Sequence, residues 1–203
     1  MKKNKISKNW INKQRRDIYV RKSKLEGYRS RAIYKLKEID EKFKIVKNGT
    51  NIVDLGSAPG SWSQYLSEKS KNSKILSIDL KEVKEIFNVS HLIGDFLDEN
   101  NQLKLTNFFK DKLDLVVSDM AVNTTGNKDL DAISTGELSL NAMNFSVKNL
   151  KKNGSFVSKI FMGSSFNEIV DKAKKNFKEF HVYKPPSSRK ESKENFIICK
   201  NLR

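Results

Sequence analysis

Cysteine is almost absent: the 203-residue chain has one, Cys199. A single thiol can neither close an internal disulfide nor furnish a cysteine-based zinc site. Histidine is scarce too, with only His91 and His181, so no protein-held metal is expected. No run of 18 apolar residues occurs, which leaves no candidate for a membrane-spanning helix. The opening stretch MKKNKISKNW is basic but has no apolar segment behind it, so no secretory signal is expected. Neither G-x-G-x-x-G nor G-x-x-x-x-G-K-[ST] is present, which removes the usual dinucleotide and P-loop phosphate cradles. Hydrophobic residues make up 37% of the chain, a low share that is still sufficient for a folded core. These absences lead to the expectation of one cytoplasmic domain, monomeric and with no membrane partner.

Charge is what the sequence has in excess, with 40 Lys+Arg against 24 Asp+Glu and a net of +16. Its distribution is uneven. Residues 1–50 carry a net +12, residues 51–150 a net −4 and residues 151–203 a net +8. The preference for lysine, 33 against 7 arginines, reflects a compositional bias, but bias alone does not place an acidic centre between two basic ends. A densely anionic partner does, and nucleic acid is the usual one. An anionic membrane would require a strongly amphipathic helix. Ile6, Trp10, Ile11, Ile18 and Val20 are too sparse for that face.

Helical and strand patterns alternate along the chain. Ile33, Leu36 and Ile39 recur at helical spacing behind Ser30, which predicts a helix over 30–42 capped by that serine. Strands are predicted at 51–56, 74–80, 91–95, 113–121, 155–162, 179–185 and 195–200. Helices are predicted between them at 61–69, 101–111, 135–150 and 164–177. This is the pattern of a doubly wound, Rossmann-like α/β sheet, mostly parallel. The last two strands are separated only by the polar stretch PPSSRKESKE, too short for a crossover helix. They should pair antiparallel, leaving one reversed strand near the C-terminus.

Asp54-Leu55-Gly56-Ser57-Ala58-Pro59-Gly60 is a strand end followed by small residues, so its backbone can approach a ligand closely. Ligands of open α/β sheets bind at such C-terminal strand ends. Asp54, ahead of Gly56 and Gly60, suits a cationic ligand such as the amino-acid portion of S-adenosylmethionine. Asp79 ends the next strand, where a carboxylate commonly holds ribose hydroxyls. Asp95 ends the third, within reach of an adenine amino group, and Asp119 ends the fourth. Four carboxylates at four successive strand ends point to an adenosine-type ligand.

D-L-G-S-A-P-G-S-W, S-D-M-A, S-K-I-F, S-R-K-E-S-K-E and Y-R-S-R-A-I-Y-K-L together resemble the FtsJ/RrmJ (RlmE) family from about Tyr28 to Lys200. The resemblance implies S-adenosylmethionine-dependent 2′-O-methylation of a uridine ribose in 23S rRNA, within the large ribosomal subunit and late in its assembly. It implies a catalytic set of Lys35, Asp119, Lys159 and Glu194, with Glu191 as a rival for the last position. It also implies cofactor contacts at Gly60, Trp62, Asp79, Asp95 and Asp119. Residues 1–27 would be a basic RNA-binding extension on a methyltransferase domain spanning 28–203. Lys22, Lys24, Arg29 and Arg31 are the expected phosphate contacts. Val122 stands where the family usually has proline, and Ser61 where it has a second glycine. A tRNA ribose methyltransferase and a non-catalytic assembly factor of the same fold remain the alternatives.

The residues are consistent with that chemistry. A ribose hydroxyl needs a base to take its proton as it attacks a methyl group in line. Lys159 lies inside the apolar run F-V-S-K-I-F, where a lysine is costly unless it has a function. A second cation, Lys35, would lower its proton affinity, and Asp119 and Glu194 would orient both amines. No metal is needed, because a sulfonium already activates the methyl group.

Overall fold

The computed structural model describes residues 17–121, 128–163 and 165–203. Residues 1–16 of the basic extension, Val122 and the polar loop through 127 lie outside the described residues. The elements run α1 (Ile18–Leu25), α2 (Ile33–Phe43), β1 (Asn51–Leu55), α3 (Ser61–Lys69), β2 (Lys74–Asp79), β3 (Val89–Ile93) and α4 (Glu99–Phe108). They continue with β4 (Leu113–Ser118), α5 (Lys128–Asn149), β5 (Leu150–Phe161), α6 (Phe166–Asn176), β6 (Phe177–Tyr183) and β7 (Glu194–Leu202).

The strands form one seven-stranded sheet in the order β3-β2-β1-β4-β5-β7-β6. Pairs from β3 through β5 are parallel, and β7 runs antiparallel to both neighbours, β5 and β6. The single reversed strand is therefore β7, as the short polar connection after β6 requires. Strand order reverses between β1 and β4, and that switch point opens a crevice at the C-terminal strand ends.

Period-two alternation sorts strand residues between two cores. Val53, Leu55, Val116, Phe156, Ile160 and Ile197 face one layer, which holds Leu105, Met143, Phe145 and Ile169. Ile52, Leu115, Val117, Val157, Phe196 and Ile198 face the other, which holds Ile33, Leu36, Ile39, Trp62 and Leu66. The lone Cys199 is buried in the first layer, where burial pushes its thiol pKa up and keeps it inert. Among the described residues no helix is long and apolar enough to cross a membrane.

Most element boundaries shift by a few residues from the sequence expectation, and at the starts of α2 and β5 a tertiary contact gives the reason. α2 begins at Ile33, not Ser30: the Ser30 hydroxyl accepts the Ala32 amide and lies 2.7 Å from the Ser61 hydroxyl. α5 is longer than expected and starts at Lys128. β5 opens at Leu150, the expected last residue of that helix, and not at 155. Leu150 is buried beside Leu113, Asn153 takes the left-handed conformation at φ 67°, and Lys151 pairs with Asp114 at 3.0 Å. Cross-strand pairing outweighs the local helix-end pattern there.

Phe156 is fully buried at the middle of β5. Phe156→Ala should cost about 3–5 kcal/mol of unfolding free energy, because the rigid sheet cannot collapse into the void. Urea unfolding checks it; a cost below about 1 kcal/mol would mean that the core repacks.

Candidate active site

The loop that follows β1 is held on both sides. The amides of Gly56 and Ser57 donate to the Ile78 carbonyl at 2.9 and 3.2 Å, tying the loop to β2. The Asp79 carboxylate accepts the Ala58 amide and the Lys81 amide, each at 2.9 Å. Gly56 has φ +76° and lies so close to Met120 that a Cβ would sit 2.6 Å from its Cγ. Gly60 has φ +105° and precedes the first turn of α3. Both positions need glycine, for conformation and for space.

Asp54 ends inside the protein and is fully buried. One carboxylate oxygen accepts the Ser63 hydroxyl at 2.6 Å, and the other, Oδ1, is buried without a hydrogen-bond partner. Burial pushes its pKa up to about 7, with Asp119 and Asp79 adding to the effect and the Ser63 hydrogen bond opposing it. Trp62 is also buried: its indole donates to the Ala32 carbonyl at 2.8 Å and packs on Phe196. It offers the crevice its main chain at the start of α3. Asp95 lies two residues beyond β3, exposed, with its carboxylate accepting the Leu97 amide at 2.9 Å.

Across the crevice, four charged side chains from four elements meet. Asp119 directly follows β4, and its amide bonds to the Leu55 carbonyl at 3.2 Å. Lys159, from β5, places Nζ 3.0 Å from Asp119 Oδ1 and donates to the Asp119 carbonyl at 2.6 Å. Lys35, in the first turns of α2, lies 3.9 Å from Asp119 Oδ2 and donates to Glu194 at 2.8 Å. Glu194 is the first residue of β7, opposite Phe161, and Lys159 stands opposite Phe196. Antiparallel pairing of β5 with β7 thus brings Lys159 and Glu194 to one end of the sheet.

The electrostatics follow from burial and pairing. Burial raises the Asp119 carboxyl, but the ammonium groups of Lys159 and Lys35 outweigh it and hold the pKa below the ordinary value. Burial lowers the Lys35 amine, but Asp119 and Glu194 outweigh it and hold the pKa above the ordinary value. Lys35 is therefore charged at neutral pH. Lys159 is only 7% exposed, so its amine depends on Asp119 for solvation.

Sequence reasoning missed the groups that hold Glu194. Ser188 donates to its Oε1 at 2.9 Å, and the Glu194 amide donates to the Ser192 hydroxyl at 3.1 Å. The Ser187 amide and hydroxyl both donate to Glu38, at 2.9 and 2.7 Å, and Arg31 donates to the Ser187 carbonyl. The only signal was the serine pair before Arg189, which reads as ordinary loop composition.

The four expected phosphate contacts divide. Lys22 and Lys24 are exposed on α1, Lys22 loosely paired with Glu26 at 3.8 Å. Arg31 is turned inward, pairing with Asp17 at 2.9 Å, and Arg29 donates to three main-chain carbonyls. Half-buried guanidinium groups with protein partners are poorly placed for phosphate, whereas Lys22 and Lys24 stand exposed on α1, as does Arg21.

A sheet in this order with one reversed strand, and a ligand loop at its switch point, is the fold of S-adenosylmethionine-dependent methyltransferases. The model of the FtsJ-like methyltransferases matches residues 28–202, and the chain belongs to that family, whose members use S-adenosylmethionine. Ribosomal RNA large subunit methyltransferase E of Pelagibacter ubique is 66% identical over 203 residues, all of both chains. Its counterpart in Rickettsia akari is 46% identical over 96% of this chain and 88% of its own. A crystal structure from Plasmodium falciparum, assigned as a ribosomal RNA methyltransferase, is 35% identical with a TM-score of 0.77. It covers 86% of this chain and 98% of its own.

Asp54 makes stability depend on pH in a direction that its environment sets. The folded chain keeps the Asp54 proton up to about pH 7, whereas the unfolded chain releases it near pH ~4. Stability therefore falls as pH rises through that window and levels off above it. The melting temperature of Asp54→Asn, minus that of wild type, should grow across the same window. A pH-independent difference in thermal melts would mean that the buried carboxyl is ionised throughout.

Proposed function

We propose that the chain transfers the methyl group of S-adenosylmethionine to a uridine ribose 2′-hydroxyl in 23S rRNA of the large ribosomal subunit. The observation that carries the chemistry is the buried pair of lysines sharing Asp119 at the mouth of the crevice. Full-length identity of 66% to a ribosomal RNA large subunit methyltransferase supports the choice of substrate. All four charged residues come from one chain, so a monomer suffices, working in the cytoplasm where ribosomes are assembled.

The residues present fit the cofactor. Asp54 leaves a buried carboxylate oxygen without a partner two residues before Gly56, which suits the positively charged amino-acid portion. Asp54, Gly56, Gly60, the main chain of Trp62, Asp79, Asp95 and Asp119 would hold it. The cofactor supplies, when bound, a methyl group already activated on a sulfonium.

The protein's task is then to position the hydroxyl and take its proton. Lys159, buried in β5 with Nζ 3.0 Å from the Asp119 carboxylate, is the residue we assign as the base. In its neutral form the Lys159 amine accepts the 2′-hydroxyl proton as the oxygen attacks, and Asp119 at 3.0 Å stabilises the ammonium that results. Lys35 sits near the other oxygen of the same carboxylate, at 3.9 Å. Glu194, held by Ser188, fixes Lys35.

Lys159→Ala should lower methyl transfer by roughly 10²–10⁴-fold and leave cofactor affinity nearly intact, since a base acts in the transition state. Asp119→Ala should damage both, and Lys35→Ala and Glu194→Ala should cost less than Lys159→Ala. Single-turnover methylation of large-subunit particles lacking the modification measures the rates, and calorimetry the affinity. A near-wild-type rate for Lys159→Ala would remove it as the base.

We further propose that residues 1–27 form an RNA-binding extension that contacts phosphates without reading bases. Its accessible lysines on α1, Lys22 and Lys24, are joined by exposed Lys190 and Lys193. Replacing Lys22 and Lys24 with alanine should reduce the slope of log affinity against log salt by about 0.7–0.9 per lost contact. An unchanged slope would move the RNA surface elsewhere.

A further inference from the structure

Arg29 lies in the short connection between α1 and α2, in the middle of a basic segment, where a phosphate contact is the natural reading of an arginine. Its surroundings say otherwise. Nη1 donates to the Lys84 carbonyl at 2.7 Å and to the Pro59 carbonyl at 3.2 Å. Nη2 donates to the Glu85 carbonyl at 2.7 Å. Its own amide donates to the Gln64 side chain at 3.0 Å. The guanidinium packs so tightly on the turn into α3 that a Cβ on Gly60 would lie 2.7 Å from Nη1. The same Cβ would meet Val83 at 2.8 Å and Ile86 at 2.9 Å, so the loop after β2 folds over Gly60 as well.

Those carbonyls belong to two different walls. Pro59 immediately precedes Gly60 in the loop after β1, and Lys84 and Glu85 lie in the loop that leaves Asp79 at the end of β2. Carbonyl dipoles converging on one point repel each other unless a donor with several N–H groups in a fixed plane sits among them. A guanidinium supplies that fork, and a lysine ammonium, a compact point charge, does not. Other contacts hold the connection independently: the Ser30 and Ser61 hydroxyls at 2.7 Å, the Trp62 indole on the Ala32 carbonyl at 2.8 Å, and Gln64 on the Gly27 carbonyl at 3.3 Å. Arg29 is thus not what keeps α2 on α3. Its specific effect is to join the two loops.

We propose that Arg29 is a positioning residue for the cofactor: it binds the loop after β1 to the loop after β2 and so preorganises both walls of the crevice. The inference rests on the functional reading above, in which those loops hold S-adenosylmethionine. Loops ordered before the ligand arrives need not be ordered on binding, so the benefit appears as affinity for the cofactor. It should not appear as RNA affinity or as the rate of the chemical step.

Arg29→Lys, which keeps the charge but loses the fork, separates these roles in the full chain. Calorimetry with S-adenosylmethionine alone should show the Kd rising about tenfold. In steady-state methylation the KM for the cofactor should rise in step, while kcat at saturating cofactor stays within about twofold of wild type. RNA affinity without cofactor and its salt slope should not move. Amide hydrogen exchange of residues 84–86 should quicken in Arg29→Lys and slow again with saturating cofactor; this readout also serves Arg29→Ala should that variant fold poorly. A cofactor Kd unchanged in Arg29→Lys overturns the proposal. So does an Arg29→Ala chain that binds cofactor normally and loses salt slope on RNA, because that result makes Arg29 a phosphate contact. A wild-type chain that binds no S-adenosylmethionine overturns the functional reading instead, a result distinct from either.

Discussion

The Asp119 carboxylate, shared between Lys35 and Lys159, is the constraint on which the site depends. Two ammonium groups within 3.9 Å of one carboxylate, nearly out of water, would repel each other strongly without it. Glu194 supplies the second negative charge, at 2.8 Å from Lys35. The cluster is thus close to neutral, which is the condition for keeping ionised groups at low exposure. Removing the Asp119 carboxylate would leave the Lys159 amine with only a main-chain carbonyl in place of its lost hydration.

Neutrality of the whole does not make the members equivalent. Lys35 touches both carboxylates and stays charged, whereas Lys159 has only Asp119, whose main-chain carbonyl accepts its hydrogen bond at 2.6 Å. The two lysines are thus held differently, Lys35 by carboxylates from two elements and Lys159 by Asp119 alone. The segment 187–192 matters here because Ser188 and Ser192 hold Glu194 and, through it, Lys35. Glu38 and Arg31 fasten the same segment back to the N-terminal part of the chain.

The crevice beside this cluster is built by the same sheet. The β1 and β2 strand ends are cross-linked by main-chain bonds from Gly56 and Ser57 to Ile78, and the Asp79 side chain reaches back to Ala58. A carboxylate that accepts two amides at 2.9 Å shapes its own loop. Arg29 adds a third connection from outside the sheet. Segments that look separate in the chain, the basic connection and the glycine-bearing loop, are therefore one mechanical unit.

Much of this was already legible along the chain. Alternating periods of 2 and 3.6 specify strands and helices locally, so the doubly wound sheet followed from apolar spacing alone. The polar ten-residue connection after β6 required a reversed strand because it cannot cross the sheet. Lys159 was conspicuous because the apolar run F-V-S-K-I-F contains no other charge. What the sequence could not disclose depends on partners far away in it. The destination of Arg29 and Arg31 is set by carbonyls and a carboxylate from other loops, so two arginines in a basic run read like their solvated neighbours. The start of β5 at Leu150 was decided by Leu113 and Asp114, about 37 residues away, over a local pattern that favours a helix end. The Ser30 hydroxyl went to Ser61 and not to a helix cap, because packing α2 against α3 brings the two within 2.7 Å. Local physics determines which elements form; only the packing of those elements decides which polar groups remain free to act.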